Sequence, residues 1–559
     1  MKSPTQQRLA VVSVIVLAVA ASAAGVTNGF AFDDIHIVAA NDSVHSLSRW
    51  WELFASSYWP PEKGGDLYRP VTMLGYAIQW ALGGGSPLAF HIWSILLYAL
   101  VCAAFFHVAA AILPLGAAWL AAALFAVHPL HVEAVGNVVG QSELWSALFM
   151  LVALAVYLRA RQQGPLTLAR TGAIAALYCL AFLSKEHGLV LPLLLLAAEI
   201  TLVPRTQPLR ARIAGMRTLM VVMTAVGFAF LWVRMTVLAK TSAGGAQVSM
   251  IFGDESFGIR AMTMLRVVPE WVRLFVWPAH LSASYSPRHI DVATGPSLEM
   301  LPSVAILIGV AWLAWLARRA APVATFAVLW VAVAMIFPSN ILVPTGFVLA
   351  ERTLFLGSGG VMLGIAAGVA YFAARDVARR RLRRNVAFST IALVLVLGLV
   401  ASAGRQGVWR DNSTLFTQTV KDAPTSYTAR LNYASVLFER RQVREGFEQL
   451  SMAHSLYPRD MAVLEFAGEQ YAEARSCVVA ARLFRTVLAN DPRRVRSRAG
   501  LARCLIIVGD HANARRVIRE GLASGDSDEA LGPLLLVNDS VEASGRVPPP
   551  RAAGAPRRD

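Results

Sequence analysis

At 559 residues, 56% hydrophobic and only 15% charged, the chain falls outside the composition of soluble globular proteins, where about a quarter of residues carry charge. Its net charge of +16 would suit a nucleic-acid binder, but the arginines cluster in short loops between apolar runs, where membrane orientation places them, so no nucleic-acid partner is expected. The 4 cysteines (Cys102, Cys179, Cys477 and Cys504) form no CxxC pair, which argues against a metal–thiolate site.

The first apolar span begins near Leu9 and runs past Val26 without a charge. It is too long for a signal peptide and has no clear small-residue cleavage site, so it reads as an uncleaved anchor. Phe30-Ala31-Phe32-Asp33-Asp34 follows at its mouth. Adjacent carboxylates there either cap the next segment or face water, a cation or a ligand. Further apolar runs predict spans at about 87–111, 115–127, 138–158, 171–184, 188–203, 218–238, 301–317, 321–340, 354–374 and 386–403, eleven with the first at 9–28. The stretch from Leu265 to Leu281 reads as a further short or re-entrant segment.

An eleven-span count places every basic cluster on one side: Lys2 and Arg8; Arg159, Arg161 and Arg170; Arg205, Arg210, Arg212 and Arg217; Arg318 and Arg319; and the run from Arg375 through Arg379 to Arg384. That side is then cytoplasmic, as is the N-terminus. Asp33 and Asp34, Glu52, Arg69, the His128-to-Glu133 segment with His131, Lys185-Glu186-His187, Asp254-Glu255 and Glu351-Arg352 all fall on the other side. So many polar groups from distant loops predict one cavity at the outer face.

Beyond Gly404 the chain turns polar. Pro424, Pro458 and Pro492 recur every 34 residues, as do Ala434, Gly468 and Ala502, which is the tetratricopeptide period. Three repeats are expected from Thr425 to Asp526, forming a short concave surface whose third unit is rich in arginine, including Arg494, Arg498 and Arg515. Such charge favours an acidic peptide or glycan, or is simply a solvated face. The domain reading is a membrane domain at 1–404, a linker at 405–424, repeats at 425–532 and a disordered Pro/Arg-rich tail at 533–559 that includes Val547-Pro548-Pro549-Pro550-Arg551. A cut after Arg410 is therefore expected to spare the chemistry.

An outer-face cavity of carboxylates and cations suits a polyprenyl-phosphate sugar, with its tail in lipid and its phosphate at the interface. Arg69, Lys185 and Arg352 are the cations available for that phosphate. Asp33 or Asp34 is the expected general base for an acceptor hydroxyl, while the other could orient the acceptor or hold a cation. Glu52, His128, His131, Glu133, Glu186, His187 and Glu351 are assigned to the acceptor side or to structure. The spacing of His128, His131 and Glu133 is compatible with a metal, but two His and one Glu recur by chance, so no metal ligand is assigned; a divalent cation is the one cofactor the site could use.

FAFDDIHIV, Trp51-Glu52-Leu53-Phe54, YRPVTML, FHIWSILLYAL, LFAVHPLHVEAVGNVVGQSEL, LSKEHGLVLP, ERTLFLGS and VWRDNSTLF, followed by the repeats, resemble the transmembrane O-mannosyltransferases that carry C-terminal tetratricopeptide repeats. These sit in the GT-C superfamily of polyprenyl-phosphate-sugar-dependent glycosyltransferases, with the protein O-mannosyltransferases. The resemblance implies an all-α polytopic membrane protein with a GT-C-like domain of about eleven helices, followed by an α-solenoid. It implies glycosyl transfer, with an acid of the first external loop, here Asp33 or Asp34, as the catalytic group. Its partners would be a polyprenyl-phosphate sugar donor, membrane lipid and a protein or peptide acceptor bound through the repeats. The expected location is the inner (plasma) membrane, multi-pass, with periplasmic or external repeats. A transporter or flippase of lipid-linked glycan, or a membrane-anchored repeat scaffold without catalysis, are the rival readings.

Overall fold

The computed structural model describes residues 4–60, 67–203, 208–241, 251–252, 255–375, 380–524 and 528–544. Lys2, Arg205, Asp254, Arg379 and the tail from residue 545 onward lie outside these residues. All regular elements among the described residues are helices, and contacts divide them into two compact units, one up to Ala429 and one from Arg430 onward.

In chain order the first unit holds α1 (Pro4–Ser22), α2 (Pro70–Gly83), α3 (Pro87–Ile112), α4 (Leu115–Ala126), α5 (Val132–Gly136), α6 (Gln141–Gln163), α7 (Leu168–Ser184) and α8 (Leu191–Thr201). It continues with α9 (Leu209–Thr241), α10 (Phe257–Val276), α11 (Leu301–Ala320), α12 (Pro322–Ala334), α13 (Phe355–Arg375), α14 (Arg380–Gln406) and α15 (Asn412–Asp422). Prolines open α2, α3 and α12, where the missing N–H costs nothing. Gly84, at φ +59°, closes α2 in the left-handed conformation that a side chain resists.

Each of the eleven expected spans corresponds to a helix, but not each helix is long enough to cross. Among the described residues 7 helices are long and apolar enough, or 8 if the bent pair Leu115–Ala126 and Pro129–Gly136 is one span. That pair turns through 50° where Pro129 interrupts the ladder. The helices Leu168–Ser184, Leu191–Thr201 and Pro322–Ala334 are short, at 17, 11 and 13 residues. A rise of about 1.5 Å per residue leaves them below the roughly 30 Å of hydrocarbon. The apolar run through Met335, Ile336 and Phe337 had extended the expected span at 321–340, but Pro338 cannot continue a helix. The 265–281 stretch belongs to α10, an amphipathic helix that buries Met264, Val267 and Leu274 and exposes Val272 and Val276. Phe228 and Trp232 on α9, Ile308 and Trp312 on α11, and Val396 and Leu397 on α14 are exposed apolar side chains of the kind lipid covers.

The two ends of α6 carry different chemistry. Near its C-terminal end buried Glu199 of α8 accepts from Arg161 Nε and Nη2 at 3.0 and 2.7 Å, and Arg212 Nε lies at 3.7 Å. Arginines of two loops expected on the cytoplasmic side thus meet on one carboxylate. Near its N-terminal end Glu143 pairs with Lys185, which follows α7.

The segment expected to be a linker at 405–424 is instead part of the first unit. Arg405 Nη1 bonds Asp422 Oδ2 at 2.8 Å, Trp409 is buried, and α15 buries Leu415 and Phe416. Arg288 N donates to Thr425 O at 3.3 Å and Tyr427 N to Pro287 O at 3.1 Å, so the chain stays docked past Thr425. Asp411 caps α15 by accepting from Thr414 N, and Phe416 supplies the apolar anchor that a free linker lacks.

The second unit contains α16 (Tyr427–Glu439, entering it at Arg430), α17 (Val443–Leu456), α18 (Met461–Glu473), α19 (Cys477–Asn490), α20 (Val495–Ile507), α21 (His511–Ala523) and α22 (Asp528–Ser544). These are three helix pairs in the expected 34-residue register, with one more helix. The small positions are small for a reason: Ala434 and Ala502 are fully buried, and a Cβ on Gly468 would lie 2.7 Å from Phe484 Cε1. The tail expected to be disordered from 533 begins as helix: α22 buries Leu531 and Val541, and Asn538 Oδ1 meets His511 Nδ1 at 3.1 Å. Proline-rich composition further on had masked this apolar stripe. Arg494 bonds Glu465 and Asp491, and Arg515 pairs with Asp539 and Glu542, so part of the expected basic surface is neutralised within the fold.

Candidate active site

The loop after α1 is pinned at several points before it reaches the acidic pair. Gly29 N donates to Arg410 O at 2.9 Å, and the Phe30 ring meets Phe90 edge-on at 5.4 Å. Phe32 takes φ +56°, a left-handed conformation rare for a bulky residue. Asp33 and Asp34 then open a short helical turn over Ile35–Ala39.

Their environments separate the two acids. Asp34 is fully buried, and its Oδ2 and Oδ1 accept from Val138 N at 3.0 Å and Val139 N at 2.8 Å. Burial pushes its carboxyl up to about 7, against those amides. Asp33 keeps 17% of its side chain exposed, with Arg352 Nη2 at 3.7 Å as its ion-pair partner among the described residues. Burial raises the Asp33 carboxyl and Arg352 opposes the rise.

Three ion pairs make up the rest of this network. Arg352 donates from Nη1 and from its backbone N to the two oxygens of Glu133, at 2.7 and 2.9 Å. Arg69, at the start of α2, donates from Nε and Nη2 to Glu186 Oε2 at 3.1 and 2.9 Å and lies 4.9 Å from the Tyr58 ring centroid. Lys185 pairs with Glu143, whose other oxygen is 4.0 Å from His187 Nδ1. Burial lowers Lys185 to about 8, against Glu143, and lowers His187 to about 4. Glu186 is held below the usual carboxylate range because Arg69 outweighs burial.

Asp33, Glu133, Arg352, Arg69, Glu186, Lys185 and His187 are thus joined, with Glu143, by short contacts or by direct charge interactions. Other expected members stand apart. Glu52 is an exposed residue 3.5 Å from Arg49. His128 Nε2 meets Phe275 O at 3.1 Å, while His131 is fixed between Tyr98 OH at 2.9 Å and Ser358 Oγ at 2.7 Å. Glu351 is bound elsewhere, accepting from Ser282 N and Tyr285 OH, although the charge of Glu133 still acts on it. Among the described residues no three His, Cys, Asp or Glu side chains gather as a metal site.

The sequence reading gave no role to Glu143 or Asn137. Glu143 was detectable as the lone carboxylate of the apolar span expected at 138–158, as Glu199 is of the one at 188–203. Asn137 is fully buried with neither amide atom hydrogen-bonded, and Glu186 Oε1 and His187 Nε2 are likewise buried without a partner. Such orphans are costly in a finished core and suit groups that await a polar ligand.

No family model matches the chain. In sequence it is similar to the protein O-mannosyl-transferase TMTC3 of mouse, 23% identical over 476 residues, covering 79% of this chain and 50% of that protein. It is 25% identical over 449 residues to the protein O-mannosyl-transferase F38B6.6 of Caenorhabditis elegans, covering 77% and 60%. Human protein O-mannosyl-transferase TMTC4 is 24% identical over 491 residues, covering 78% and 64%. The chain spans about half the length of the first of these curated relatives. Among solved structures, an oligosaccharyltransferase of Archaeoglobus fulgidus tethered to an acceptor peptide aligns with a TM-score of 0.45 at 13% identity, covering 77% of this chain and 59% of that one. ArnT of Cupriavidus metallidurans bound to undecaprenyl phosphate aligns with a TM-score of 0.39 at 17% identity, covering 84% and 81%.

Proposed function

We propose that this chain, protein O-mannosyl-transferase-like over most of its length, is an integral membrane glycosyltransferase that moves a sugar from a polyprenyl-phosphate carrier to a protein hydroxyl. The observation that carries this reading is the position of Asp33, a partly exposed carboxylate of raised proton affinity beside the Arg352–Glu133 pair. Asp33 takes the acceptor's proton as the hydroxyl oxygen attacks the anomeric carbon. The bond from that carbon to the donor phosphate breaks, and the carrier leaves as polyprenyl phosphate. Arg352, Arg69 and Lys185 offset the charge that builds on it. Asp34 holds the loop and takes no proton from substrate. The named relatives make mannose the first sugar to test.

We place the site on the non-cytoplasmic face, a reading supported by the arginine clusters of the sequence and by Arg161 and Arg212 meeting on Glu199 near the other end of α6. The repeats select the acceptor. A transporter would place its ionisable groups nearer mid-helix than this loop-borne cluster. The test is transfer of radiolabelled mannose from polyprenyl-phosphate mannose to an acceptor protein by the purified chain. Activity in wild type and its loss in a folded Asp33→Asn variant are expected. Full activity of that variant would remove Asp33 as the base.

A further inference from the structure

Phe32, immediately before the candidate base, is one of 4 non-glycine residues with positive φ among the described residues. A bulky L-residue holds that conformation only where its surroundings enforce it. The enforcing contacts come from about 380 residues away. Asn412 Oδ1 accepts from Phe32 N at 2.7 Å, and the Phe416 ring meets the Phe32 ring edge-on at 5.8 Å. Both lie in the first turns of α15, whose start is fixed by Asp411 accepting from Thr414 N at 2.7 Å. Gly29 N on Arg410 O and Asn28 Nδ2 on Gln406 O at 2.9 Å tie the same two segments together.

We propose that Asn412 and Phe416 are positioning residues for the transfer reaction: they hold Phe32 left-handed and thereby aim Asp33 at Arg352 and the acceptor. This inference rests on the reading of Asp33 as the base. The segment after the last apolar helix is then part of the catalytic apparatus. Without the Asn412 oxygen, Phe32 relaxes toward negative φ and the following carboxylate swings away, with no loss of any cation of the donor site. The expected signature is a fall in turnover with little change in donor affinity.

The experiment uses the full chain with polyprenyl-phosphate mannose and an acceptor protein, together with hydrogen exchange of the peptide spanning residues 29–35. Asn412→Ala should lower kcat roughly tenfold, leave the donor KM within about twofold and speed exchange at the Phe32 amide. Asn412→Asp keeps an acceptor oxygen and should recover most of kcat. Glycine adopts φ +56° without strain, so in a Phe32→Gly background the further Asn412→Ala change should cost less than in wild type. Should Asn412→Ala unfold the chain, the comparison of Asn412→Asp with Phe32→Gly still decides. Unchanged kcat in Asn412→Ala, unchanged exchange, or additive effects in the double variant would each overturn the proposal. Faster exchange in Asn412→Ala, alongside a wild-type chain that transfers no sugar, would instead overturn the glycosyltransferase reading while leaving the clamp intact.

Discussion

Arg352 serves two carboxylates, and removing it should affect them in different ways. Glu133, with 3% of its side chain exposed, receives two hydrogen bonds from this one residue. Replacing Arg352 by Gln leaves Glu133 charged, buried and short of its cation, a loss typically of about 3–5 kcal/mol. Changing Glu133 to Gln as well removes that stranded charge, and most of the stability should return. Asp33 responds through Coulomb energy. A unit charge at 3.7 Å is worth about 4 kcal/mol at an effective dielectric of about 20. The carboxylate of Glu133 and water at the exposed edge offset part of it. A base works when ionised, so losing the cation raises the Asp33 proton affinity and moves the acidic limb of the pH–rate profile upward. In the double variant the opposing Glu133 charge is gone too, and the limb should return part of the way. Thermal unfolding and kcat/KM against pH, on the wild type and both variants, read the two effects separately. An acidic limb that stays in place in Arg352→Gln would refute the assignment of Asp33 as the titrating base. A double variant no more stable than the single one would refute the account of Glu133.

Lys185→Ala and Arg69→Ala should raise the donor KM roughly tenfold or more, from the loss of one charged phosphate contact, while the acceptor KM changes little; steady-state titration of each substrate checks this. A chain ending at Ala429 keeps α15 and its contacts, so it should still transfer mannose to a small surrogate acceptor while losing native protein acceptors, whereas a chain ending at Arg410 lacks Asn412 and Phe416 and should lose both activities in the same side-by-side assay. Reporter fusions after Arg384 and after Asp411 should read cytoplasmic and external respectively, and the same side for both would remove the outward-facing site.

Local pattern was enough to determine much of this protein. Apolar length announced the membrane helices, proline and small residues at a 34-residue interval announced the helix pairs, and charged pairs at helix mouths announced Asp33, Lys185 and Arg352 as unusual. Each of these signals is carried by residues close in sequence, because hydrophobic period and helix length are local properties. Tertiary structure decided what each charge does. Asp33 and Asp34 are chemically identical neighbours, and only the amides of Val138 and Val139, over 100 residues on, make one of them an anchor. Glu52 and Glu143 are likewise the same side chain, yet Glu52 ends in solvent and Glu143 on a buried lysine. The segment at 405–424 looked like a linker because its polarity is local, while its docking depends on Phe32, Pro287 and the loop after α1. A partner distant in the chain leaves no periodic trace in sequence, and the free energy of a buried charge is set almost entirely by such partners.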